Sequence, residues 1–356
     1  MKFLFAAILT CCVYASEAQG HKTENIIIVT MDGMRWQEVF GGIDSVLMMN
    51  KRYTHDSAGA AKYWDADIKE RRKKLFPFFW TTIASEGQLY GNRTIGSLVD
   101  NANPYKFSYP GYNEIFTGYP DSAVNSNDKI YNKNTTVLEF LNKQKTYAGK
   151  VAVFATWDAY PYIFNVPRSG IYVNADFDTL NFNNGNLRMI NDIQFLDPRN
   201  TGERPDVLTY VAAREYLKAY KPKILYIAFD ETDDYAHAGQ YNHYLNSAHA
   251  EDGMIANLWN LVQTMSEYRG KTTLIVTCDH GRGDKIKDQW RDHGQRVEDA
   301  GHIWIAAMGP DTPPFGEVKP GSTLYQKQIA PTIAALLGQQ FYPDHGEAKT
   351  ISTFFQ

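Results

Sequence analysis

Short apolar runs that stop at polar clusters recur along this chain at wide intervals, with helix-like material between them. The clearest are NIIIVT (25–30), VAVFAT (151–156), ILYIAF (224–229), TLIVT (273–277) and IWIAAM (303–308). Apolar runs of this length without polar alternation suit strands covered on both faces, as in a parallel sheet. Between them, 136–143, 205–219, 249–268 and 328–337 carry apolar residues at helical spacing. The alternation predicts a doubly wound α/β fold, a mostly parallel central sheet with helices on both faces. Two stretches break it, 41–103 and 169–202, the second rich in Asn, Asp and Gly. Both are expected as surface insertions that form a cap over a site. With no repeat, low-complexity tract or linker, 19–356 is expected to be one domain.

The first stretch, MKFLFAAILTCCVYASEAQG, places Lys2 before an apolar segment from Phe3 to Tyr14, with small residues at Ser16 and Ala18. It predicts a secretory signal peptide over 1–18. The apolar part is shorter than the roughly 20 residues that span a bilayer. Lipid attachment at Cys11 or Cys12 is disfavoured, because Thr10 and Cys11 precede them where a small residue is usual. Cleavage after Ala18 leaves Cys278 as the remaining cysteine, so stability must come from a core and not from disulfides. Export without disulfides points to a bacterial periplasm. The net charge of −4 and the absence of a dominant basic face argue against nucleic-acid binding. The run Glu70-Arg71-Arg72-Lys73-Lys74 is read as a solvated helix face.

In an open α/β sheet, ligands gather beyond the carboxyl ends of the strands. Here those ends read Thr30-Met31-Asp32-Gly33, then Asp230 to His237 (DETDDYAH), then Cys278-Asp279-His280-Gly281. Singly, each is a common turn or cap sequence. Asp233 and His237, four residues apart, share one face of a helical turn and can hold one ion between them. Together the three clusters bring five metal-ligating groups, Asp32, Asp233, His237, Asp279 and His280, to one sheet edge.

An Asp after the first strand, then Asp-x-x-x-His, then Asp-His and a distal His resembles the alkaline phosphatase superfamily, and most closely its nucleotide pyrophosphatase/phosphodiesterases. The segment KFSYPGYNEIFTGYP matches that family's nucleophile context, with Ser108 two residues before Pro110 and Thr117-Gly118 beyond. The likeness runs over roughly 25–346. It implies a nucleophilic Ser108, a first metal on Asp32, Ser108, Asp279 and His280, and a second on Asp233, His237 and one further histidine. His345 is chosen for that place because QKQIAPTIAALLGQQFYPDHG resembles the family's C-terminal helix and His-Gly pair; His293, in WRDHG, is second, and His302 is read as a strand start. Asn127, in AVNSNDK, takes the oxyanion-stabilising place, with Asn125 beside it. Arg168 and Lys106 are weaker candidates for contact with a substrate anion.

Serine alone is a poor nucleophile at neutral pH, and no Ser-His-Asp order surrounds Ser108. The resemblance therefore implies two divalent ions about 4 Å apart, which activate the serine and stabilise the leaving oxygen. Carboxylate and imidazole ligands suit zinc. The expected activity is hydrolysis of a small phosphate ester through a phosphoserine. A sulfatase is the rival, but its signature arginine position holds Tyr112. A phosphoglycerate mutase is not expected, because 356 residues leave little room for its large inserted domain, nor a phosphoethanolamine transferase, because no membrane helices precede the catalytic part of this sequence. A non-catalytic binding protein does not need an intact nucleophile and ligand set. No acidic trio for a third metal is evident. The aromatic segments 105–112 and 160–164 are expected to line room for a second substituent of a diester.

Overall fold

The computed structural model describes residues 22–197, 203–346 and 348–355. The predicted signal peptide and the last residues of the 169–202 stretch lie outside the described residues.

The central sheet has eight strands in the order β5-β4-β6-β1-β7-β8-β2-β9. Its heart is β1 (Asn25–Met31), β6 (Ile224–Phe229), β7 (Thr272–Thr277) and β4 (Val151–Ala155), every residue of which is buried. These are the runs in which apolar residues follow one another without alternation, as a strand covered on both faces requires. Two strands come from the stretches that broke the alternation: β2 (Gly87–Tyr90) from 41–103 and β5 (Tyr172–Ala175) from 169–202. These stretches therefore contribute to the sheet itself. A short β9 (Gly316–Glu317) closes one edge, and β3 (Val99–Asp100) pairs with β10 (Leu324–Tyr325) in a separate ribbon.

One strand departs from the parallel layout. β8 (Ile305–Met308) is antiparallel to both β7 and β2, with Thr277 opposite Ile305. The chain between β7 and β8 therefore starts and ends at the same edge of the sheet. No helix carries it back across the sheet, as a parallel crossover demands.

Seven helices bear on the site or its support. They are α1 (Ser108–Thr117), α2 (Val137–Asn142), α3 (Gly185–Leu196), α4 (Asp206–Tyr220), α5 (Glu231–His237), α6 (Tyr241–Thr264) and α7 (Ile329–Leu336). α4 packs on β4 and β6, α6 on β1, and α7 on α1 and α2. Local signals set the ends. Thr136 caps α2 by accepting the Glu139 N–H, Asn184 caps α3, and α1 stops at Gly118 in the left-handed conformation (φ 69°). Every residue of α1 is buried. Among the described residues no helix is long and apolar enough to cross a membrane.

Candidate active site

The register of three adjacent strands sets the first part of the site. Thr30 of β1 lies level with Ala228 of β6 and Thr277 of β7. Two residues further on, the three strands deliver Asp32, Asp230 and Asp279 side by side at the carboxyl edge. His280 follows Asp279, and its Nδ1 donates to Gly281 O at 3.0 Å, which leaves Nε2 to face inward. That Nε2 lies 3.3 Å from Asp32 Oδ1 and 3.3 Å from Asp279 Oδ2. All three atoms are buried and lack a hydrogen-bond partner.

Such orphaned atoms are costly unless something positive stands among them. Burial opposes a charge on His280, yet Asp279 and Asp32 outweigh it and push its pKa up to about 9. Burial and the neighbouring Asp32 hold the Asp279 carboxyl well above its ordinary range. A dication ligated by the same atoms satisfies them better, and Asp32, Asp279 and His280 have the spacing to hold one.

The nucleophile candidate approaches from α1. A Cβ on Gly111 would come within 2.5 Å of Asp279 O, so the missing side chain lets α1 lie directly on the end of β7. Tyr112, fully buried, donates its hydroxyl to Asp32 Oδ2 at 2.7 Å. Ser108 lies one helical turn before Gly111 and Tyr112, on the same face of α1 as the residues that meet Asp279 and Asp32. It is 7% exposed at the start of the helix, where backbone N–H groups favour an anion. Asn127 Oδ1 accepts the N–H of Tyr109 at 2.9 Å, which leaves its Nδ2 donors free beside the serine. Asn125 reaches only Ser122 O, in its own turn.

A second group adjoins the first. Along α5, His237 Nε2 lies 3.2 Å from Asp233 Oδ2. It also lies 2.8 Å from His293 Nε2, and His293 stacks on His280 with ring centroids 4.0 Å apart. His293 comes from the β7–β8 connection, which remains at this edge because β8 runs antiparallel. Burial and the nearby His280 lower the pKa of both His237 and His293. Both shifts favour the neutral imidazole, the form that ligates metal.

Each carboxylate is held by one oxygen and offers the other. Asp32 Oδ2 is held by Tyr112, Asp279 Oδ1 by the Gly33 N–H at 3.0 Å, and Asp233 Oδ1 by the Arg282 guanidinium.

His345 does not join this arrangement. It is exposed and packs against Tyr119, at a ring separation of 5.3 Å. Tyr119 follows the far end of α1, and a ten-residue helix spans about 15 Å. The structure puts His293 beside His237 instead. His302 is half-buried and bridges Asp100 ahead of β8. Arg168 is taken up by Glu139 and by the carbonyls of Asn132, Lys133 and Asn134. Lys106 turns its Nζ to Val297 O and Glu298 O. The aromatic segments divide: Tyr112, Tyr160 and Phe164 fill the interior, at most 1% exposed, whereas Tyr109 and Tyr162 each border a surface cavity, of about 210 and 340 Å³.

Sequence reasoning missed Tyr112 and Arg282 as supports of the ligands, and an acidic trio. Glu203, Asp230 and Asp234 bring carboxylate oxygens together beside the site, next to a cavity of about 140 Å³. Burial pushes Glu203 up to about 7 and Asp230 well above its usual range. Only the strand-end place of Asp230 could have signalled this, because Glu203 arrives from a distant loop.

No family model matches the chain, and no curated protein sequence matches it. Solved structures do: 308 chains resemble it. Wild-type alkaline phosphatase PafA superposes with a TM-score of 0.62 at 11% identity, over 94% of this chain and 99% of that one. Phosphonate monoester hydrolase of Agrobacterium radiobacter gives 0.57 at 12% identity, over 93% of this chain and 77% of its own. Inactive murine ectonucleotide pyrophosphatase/phosphodiesterase 5 in complex with AMP gives 0.54 at 14% identity, over 94% and 100%. The chain has the fold of the alkaline phosphatase superfamily.

Proposed function

We propose that this protein is a two-metal phosphoesterase that hydrolyses small phosphodiesters or phosphomonoesters through a phosphoserine on Ser108. The observation that carries the reading is the convergence of three buried, unpartnered ligand atoms on Asp32, Asp279 and His280 under the helix that begins at Ser108. Asp32, Asp279, His280 and Ser108 would hold one ion, and Asp233, His237 and His293 would hold the other. Imidazole and carboxylate donors in these numbers suit zinc. When bound, the ions supply Lewis-acid stabilisation of the serine alkoxide and of the leaving oxygen.

The residues of the chain perform the rest. Ser108 Oγ attacks phosphorus in line with the leaving group; the new P–O bond forms as the ester P–O bond breaks, and the alcohol departs with a proton. Asn127 Nδ2 and the Ser108 N–H bind the non-bridging oxygens, where negative charge builds; the Tyr109 N–H holds Asn127 in place. Water then cleaves the phosphoserine, releasing phosphate or its monoester and restoring the hydroxyl. Tyr112 fills the place of the sulfatase signature arginine and is bound to Asp32, which disfavours sulfatase chemistry. With the leader expected over 1–18, the enzyme acts after export, in a bacterial periplasm.

The test compares bis-p-nitrophenyl phosphate, p-nitrophenyl phosphate and p-nitrophenyl sulfate with zinc-loaded protein and its Ser108→Ala variant. Phosphate-ester turnover that vanishes in the variant is expected. Faster turnover of the sulfate, or equal activity in the variant, overturns the reading.

A further inference from the structure

Arg282 is fully buried and sits two residues beyond His280. Its guanidinium reaches the segments that bring Asp32, Asp233 and His293 to the site. Nε donates to Gly33 O at 3.2 Å, beside Asp32. Nη1 donates to Arg291 O at 2.6 Å, two residues before His293. Nη2 donates to Asp233 O at 3.2 Å and pairs with Asp233 Oδ1.

The backbone is shaped to this group. Gly33 has φ +57°, and a Cβ there would fall 2.9 Å from Arg282 Nε and 2.8 Å from Asp233 Oδ1. Hence the guanidinium lies directly over the glycine, and a side chain at that position would displace it. A planar fork with five donors can join three loops at fixed angles, whereas an ammonium on a flexible stem cannot.

We infer that Arg282 is a positioning residue for the second metal group, fixing Asp233 with its Oδ2 turned to His237 and tying the His293 loop to α5. The inference rests on the two-ion reading. The first group does not depend on this arginine in the same way, since Asp32 and Asp279 are held by Tyr112 and by the Gly33 N–H. Loss of the fork should therefore separate the two ions. Partners that orient metal ligands typically contribute about 10–100-fold to affinity or activity.

The experiment titrates metal-free wild type and Arg282→Lys with zinc against a chromophoric chelator, and with cobalt read by visible absorption. Lysine keeps the charge and removes the fork. The wild type should take up two ions. The variant should bind one at wild-type affinity and the other about 10–100-fold more weakly, with phosphodiester kcat/KM falling in parallel and recovering in excess zinc. Two ions bound at wild-type affinity, both weakened equally, or fewer than two ions on the wild type overturn the inference. If the lysine variant does not fold, a crystal structure of the zinc-loaded wild type decides. Arg282 Nη2 on Asp233 with Oδ2 toward the ion supports the inference, and a guanidinium turned away overturns it. Two bound ions with no turnover of any phosphate ester would refute the proposed function alone, leaving the role of Arg282 to the binding curves.

Discussion

The two ligand groups lie against one another yet are built differently. Asp32, Asp279 and His280 sit at the ends of neighbouring strands, are at most 1% exposed and leave three atoms unpartnered. Asp233, His237 and His293 come from a seven-residue helix and a loop, and the His237 side chain is 46% exposed. Strand ends are set by the ladder of a buried sheet, which does not slip without turning every side chain to the wrong face. A short helix and a loop need outside help, and Arg282 supplies it. The first group is thus a rigid, dry pocket whose ion should exchange slowly, and the second an accessible one whose ion should exchange quickly.

The largest effect that would break this comparison is at Asp279. Asp279→Ala removes a buried ligand and the anchor of the Gly33 N–H, so phosphodiester kcat/KM should fall roughly a thousandfold or more, about 4 kcal/mol of transition-state stabilisation. Excess zinc should not restore it. Recovery in zinc would mean that the first group is as adaptable as the second. Next in size, His293→Ala should lower kcat/KM about 10–100-fold at limiting zinc, with substantial recovery at high zinc. His345→Ala, beside Tyr119, should leave it within about twofold, as expected of a surface change. Steady-state kinetics on the pair decides between the two histidines directly.

Tyr112→Phe sharpens the comparison from the other side. The ring stays, and only the hydroxyl on Asp32 is lost, so the first ion should bind about tenfold more weakly with the second unchanged, as chelator competition will show. A shift in the second ion would mean that the groups are not independent. The smallest effect concerns the scaffold. Asp252, on α6, accepts the N–H groups of Phe78 and Phe79, and burial pushes its pKa up to about 7 from 3.8. The folded carboxyl keeps its proton to higher pH than the unfolded chain does. Its contribution to stability is therefore full below about pH 4 and lost as pH rises to about 7. Thermal melts of metal-free protein should show this decline, and Asp252→Asn should flatten it. An unchanged slope would assign the pH dependence to the ligand groups.

Much of the layout was legible before any coordinates. The strand runs at 25–30, 151–156, 224–229 and 273–277 match β1, β4, β6 and β7 to within a residue, because a strand buried on both faces must be apolar throughout. Those strand ends also carried Asp32, Asp233, His237, Asp279 and His280 into view. β2 and β5 escaped because each is only four residues long, too short to show a run of its own. Of the tyrosines read as cleft lining, Tyr112 and Tyr160 proved to be core while Tyr109 and Tyr162 border cavities, since an aromatic side chain has the same letter in either place.

By itself the sequence determined the element types, the parallel heart of the sheet and the candidate ligands placed at its strand ends, because burial and strand periodicity act within a few residues. Only the tertiary structure decided which distant residues complete the site. His293 reaches His237 because β8 runs antiparallel and keeps the chain 278–304 at the carboxyl edge. Strand direction is a choice of pairing partner, and apolar pattern does not encode it. Tyr112, Arg282 and Glu203 likewise owe their places to contacts between loops far apart in the chain, where hydrogen-bond geometry, and not local composition, selects the partner.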